Sequence, residues 1–138
     1  MSRSALALAF LAALACDPAA SEQVFEVVFS NPEDGEVAYP QSLIEVGFSR
    51  AVDPETCDSR TLLLAALADD DRVAWVMDGV EVVPSDFEEH RWELVHPEMT
   101  PGLNWAVVVQ SGPNGCLSAY GEPVVPFNVR FPVSERLP

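Results

Sequence analysis

Apolar positions along this chain follow two patterns. Residues 5–15 are apolar without interruption, whereas from Val24 onward short stretches rich in Val, Phe, Ile and Trp alternate with Pro, Gly, Asp and Asn. An eleven-residue apolar run is too short to span a bilayer as a helix. With Arg3 before it and small residues just ahead of Cys16, it has the make-up of a secretory signal peptide. The second pattern lacks sustained helical periodicity and carries strand punctuation. It predicts strands at residues 24–29, 43–48, 61–67, 73–77, 80–83, 91–95, 105–110 and 124–131. Ile44, Val46 and Phe48 share one face of their strand, as do Trp92 and Leu94 of theirs, and Trp105, Val107 and Val109 of another, so each aims an apolar set into a core. The run Leu62-Leu63-Leu64-Ala65-Ala66-Leu67 would suit a helix by propensity, but its length and neighbours favour a strand. Asp78-Gly79 taken alone is a hairpin signal.

Length and cysteines then divide the chain. Removing residues 1–15 leaves enough for one domain with a real core. The expected parts are a signal peptide at 1–15, a tether at 16–23, a β domain at 24–132 and a tail at 133–138. The seven residues of the tether after Cys16 reach at most about 25 Å and on average about 15 Å, which holds the domain close to whatever Cys16 is attached to. If Cys16 is modified, Cys57 and Cys116 remain, and an exported protein meets oxidising conditions in which such a pair closes into a disulfide. Two reduced thiols are the alternative. A zinc site lacks a Cys-x-x-Cys and a nearby histidine.

The chain has 22 acidic and 7 basic residues, a formal charge of −15. Nucleic acid is not an expected partner, because binding it requires clustered cations that displace counterions from phosphates. A solvated, self-repelling surface is the ordinary reading of such acidity.

Two resemblances follow from short motifs. Ala13-Leu14-Ala15-Cys16 resembles a bacterial lipoprotein signal, in which the cysteine is lipidated and becomes the first mature residue; Ala13 stands where Leu is commoner. Asn31-Pro32-Glu33-Asp34-Gly35, then Phe48-Ser49-Arg50-Ala51-Val52-Asp53, then Met99-Thr100-Pro101-Gly102-Leu103-Asn104-Trp105 together resemble the bacterial immunoglobulin-like domains of surface-layer and secreted proteins, the SbsA-type family. Met99 replaces the family's Leu, and Trp105 replaces a corner Tyr whose hydroxyl bonds the backbone; an indole N–H can still donate there, with different geometry. The resemblance implies an all-β, immunoglobulin-like antiparallel β-sandwich of about seven strands and no enzymatic site. In that fold the loops leaving the second and sixth strands lie at one end, which joins Cys57 to Cys116 if residues 73–83 form one strand bent by a bulge at Gly79, the favoured reading, or if one of its halves is not a sheet strand.

Candidate chemistry is sparse. His90 and His96 are about 20 Å apart along a strand, too far to share a metal. Asp69-Asp70-Asp71 lacks the spacing of a calcium loop. Asp53 is expected to cap the turn that follows it. Glu88 and Glu89 point to opposite faces if extended, and no Gly-x-Ser-x-Gly is present. No catalytic residue, metal site or cofactor is expected. Strand parity puts Glu33, Asp34, Glu36, Asp69, Asp70, Asp71 and Glu98 at one tip, against a lone Arg72, and turns that tip away from the tether. The expectation is a membrane-anchored, non-catalytic binding or envelope-structural module, attached through lipid on Cys16, with an envelope protein or polysaccharide as partner. A soluble secreted protein- or carbohydrate-binding domain is the alternative, and a hydrolase a distant third.

Overall fold

The computed structural model describes residues 24–86 and 88–135, so the leader, Cys16 and the tether lie outside the described residues. Eight strands follow one another: β1 Val27–Asn31, β2 Glu45–Phe48, β3 Leu62–Leu67, β4 Val73–Val76, β5 Glu81–Pro84, β6 Arg91–Val95, β7 Asn104–Val109 and β8 Phe127–Pro132. They form two four-stranded sheets, ordered β1-β2-β6-β5 and β4-β3-β7-β8. Every pairing within them is antiparallel. This is an immunoglobulin-like β-sandwich, with the chain crossing between sheets after β2, β4 and β6.

The alternation read from the sequence is what closes the core. Ile44, Val46, Phe48 and Leu94 from one sheet meet Leu62, Leu64, Ala66, Trp105, Val107, Val109, Val129 and Phe131 from the other, all buried. Each large side chain so buried contributes about 1.5–3 kcal/mol of transfer free energy. The leucine-rich segment is a central strand, flanked by β4 and β7. Six residues close too few helical hydrogen bonds to offset nucleation, whereas β7 pairs with residues 62–66 and β4 with residues 65–67. Met99 is fully buried, and the Trp105 indole donates to the Thr100 carbonyl at 2.9 Å, so the corner bond expected of a Tyr hydroxyl is made by Nε1.

Residues 73–83 depart from the bent-strand expectation, and the strand number from seven. Both halves are strands, but in different sheets: β4 pairs with β3 and β5 with β6. Asp78-Gly79 is thus a crossing between sheets, neither hairpin nor bulge. The pairings make β4 and β5 run in the same direction, toward the end where Cys57 and Cys116 are bonded. Eight strands therefore keep the parity of seven, and the disulfide closes between the β2–β3 and β7–β8 connections. The chain enters at that same end, where Val125 N–H bonds the Phe25 carbonyl and Ser49 Oγ donates to the Val24 carbonyl.

Candidate functional site

The end remote from the disulfide is built by the 32–44, 68–72 and 96–103 connections together with the exit of β8. Gly35 takes φ of 83°, a conformation open to glycine at little cost, and this turns the Asp34-Gly35 backbone onto β8. Gly35 N–H then bonds the Arg130 carbonyl at 2.7 Å, while Asp34 Oδ1 accepts the Arg130 N–H at 2.9 Å. From the other side the Arg130 guanidinium reaches Asp71 Oδ2 at 2.9 Å. Asp34, Asp71 and Arg130 thereby line one groove of about 290 Å³ with Gly35, Asn104, Phe131 and Pro132. Asp69 lies in a neighbouring groove of about 280 Å³ that shares Asn104 and Pro132 with it.

The predicted acidic residues are only partly gathered. Asp70 is tied to Arg72 at 2.6 Å, and hydrogen bonds from the Arg72 side chain and then its backbone N–H hold the Asp70 carboxyl below the usual range. Glu33 and Glu36 close their own turn, with Glu33 N–H bonding Glu36 Oε1 at 2.8 Å. Glu33 also borders a groove beside β1 and β8, away from Arg130. Glu98 stays exposed on the 96–103 connection. The tip is less one-sided than the sequence suggested, because Arg130 joins Arg72 as a second cation. Arg130 is 59 positions from Asp71, and no local pattern connects them.

At the opposite end, Glu122 accepts from Ser118 Oγ at 2.8 Å and from Arg50 at 2.7 and 2.9 Å. These bonds, Ser118 foremost, hold its carboxyl below the ordinary glutamate value. Asp53 Oδ1 caps its turn by accepting the Glu55 N–H at 2.9 Å. His96 sets its two ring nitrogens against the Pro97 and Ser42 carbonyls, at 2.6 and 2.8 Å. Among the described residues no group of three or more His, Cys, Asp or Glu side chains is placed to hold a metal ion.

No protein-family model matches the chain, and no curated protein sequence does. Solved structures do resemble it in fold. CopC from Methylosinus trichosporium OB3b superposes with a TM-score of 0.55 at 16% identity, covering 83% of this chain and 97% of that one. The S-layer protein rSbsC(31-844) gives 0.56 at 14% identity over 84% of this chain but 14% of its own. Domains 1–6 of the surface layer protein SbsC give 0.58 at 14% identity, covering 86% of this chain and 15% of that one. At these identities the likeness is one of architecture.

Proposed function

We propose that this chain is a lipid-anchored module of the bacterial envelope, held by Cys16 and acting by binding rather than catalysis. The observation that carries the reading is polarity. The described residues begin at the disulfide end, beside Ser49 and Val125, while the grooves around Arg130 lie at the other end. A tether of about 15 Å from Cys16 then keeps the disulfide end near the membrane and presents the acidic tip outward. The buried disulfide fits an oxidising compartment. The likeness in architecture to domains of S-layer proteins supports the envelope reading, and the partner we propose is an envelope protein or polysaccharide.

Detergent partitioning tests the anchor. Stable attachment needs more than one acyl chain, and a lipoprotein carries two or three. Wild type is expected in the detergent phase and Cys16→Ser in the aqueous phase; wild type in the aqueous phase overturns the anchor and leaves a secreted binding domain. The tip is tested by D69N/D70N/D71N. Because Asp70 and Asp71 are ion-paired while Asp69 faces the open groove, D69N alone should retain most of the triple variant's loss in pull-down of envelope partners. Unchanged recovery with the triple variant removes the tip from the binding surface.

A further inference from the structure

The four sheet edges are not protected alike. A strand edge exposes unpaired N–H and C=O groups, and native sheets cover, charge or interrupt such edges. Along β8, the 34–38 segment takes up the Arg130 N–H and the Arg130 and Pro132 carbonyls. β5 bears Glu81 and ends in Pro84. β1 is broken by a register shift between Val27 and Phe29 and stops before Pro32. β4 has neither proline nor charge, and no described strand lies on its outer side. Its four residues are all exposed, Val73 by 52%, Trp75 by 47% and Val76 by 44%. The extra residue Ala74 twists the strand, yet Trp75 and Val76 stay in register with Ala66 and Ala65.

We propose that the β4 edge is a docking site for an extended, basic polypeptide segment that adds a strand to the sheet. Main-chain ladder bonds supply the affinity of strand addition, and alternate side chains supply the choice of partner. Here the apolar centre is Val73, Trp75 and Val76, with Trp75 seated edge-on against buried Trp105 at 6.0 Å. The rim is acidic: Asp69, Asp70 and Asp71 precede the strand, and Asp78 and Glu81 follow it. Arg72 and Arg130 pair with Asp70 and Asp71, and Asp69 lines the groove beside β7 and β8, which leaves exposed Asp78 and Glu81 to meet cations near the far end of an added strand. The same charges oppose a second copy, whose β4 would carry identical acids into the interface. This goes beyond the anchored-module reading, since it stands on the sheet edge and needs neither the lipid nor the tip grooves.

The test uses the full chain and two peptides, a Val/Thr repeat flanked by arginines and the same repeat flanked by glutamates. The arginine peptide should slow hydrogen exchange at the 73–76 amides, shift Trp75 emission to the blue and bind more weakly as salt is added. Val76→Lys should lower its affinity by about tenfold or more, by placing a cation on the edge. Ala74→Pro, which removes a strand N–H, should abolish protection if it folds; D78N/E81Q, which leaves the backbone intact, should erase the preference between the peptides. Equal binding of both peptides, binding without protection of 73–76, or protection appearing with protein concentration alone would each overturn the proposal, the last in favour of self-pairing.

Discussion

Trp105 shows how one side chain serves two purposes. It is fully buried between the sheets and its indole N–H satisfies the Thr100 carbonyl. Trp105→Phe removes volume and leaves that carbonyl without its donor, so it should cost about 2 kcal/mol, read as a lower denaturant midpoint at unchanged slope. Glu122 offers a different measurement. Its pKa is depressed in the fold by Ser118 and Arg50, so its contribution is fully present above the ordinary glutamate value and is lost as pH falls through the lower folded value. Glu122→Gln should therefore lower the thermal midpoint at neutral pH, and the gap from wild type should narrow and then close as pH falls below the ordinary glutamate range. A gap that is constant with pH would mean that packing, not charge, is what the substitution disturbs.

Among the strands, the close approach of β1 to β2 depends on Gly47. A Cβ built there falls 3.0 Å from the Phe29 Cβ, and Phe29 also carries the Arg91 guanidinium 3.7 Å above its ring. Alanine lowers the entropy of the unfolded chain by about 0.4–1 kcal/mol, but overpacking costs about 1–3 kcal/mol, and the clashing atom sits at the base of the Phe29 side chain where it cannot swing away. Gly47→Ala should therefore destabilise by about 1 kcal/mol, measured by chemical denaturation. Stabilisation would mean that β1 shifts along its irregular register to make room.

For the molecule as a whole, the Cys57–Cys116 bond closes a loop across a sequence separation of 59. On the chain-entropy argument this contributes about 4 kcal/mol at most, by restricting the unfolded ensemble. C57S/C116S should lower stability by a few kcal/mol in a denaturant titration, with a native-like circular dichroism spectrum at low denaturant. The bond also ties together the two connections nearest the incoming chain, where Ser49 and Val125 hold residues 24 and 25. Chain entry and disulfide thus share one end, and the polarity on which the proposed function rests is a property of the whole sandwich.

Alternation of apolar residues by itself determined the strands, the inward set around Ile44, Val46, Trp105 and Val107, and the sandwich class, because a period of two allows only one face of each strand to be buried. Cysteine count and compartment also led to the disulfide, and the local chemistry of Asp53 to its cap. Only the tertiary structure decided that Asp78-Gly79 crosses between sheets, since the turn signal is the same whether the next strand pairs with the last or leaves it. It alone brought Arg130 between Asp34 and Asp71 and left β4 as an edge strand with no described strand on its outer side. Ion pairs and sheet edges arise from residues far apart in the chain, and their separation in space is fixed by strand order, which no local pattern encodes.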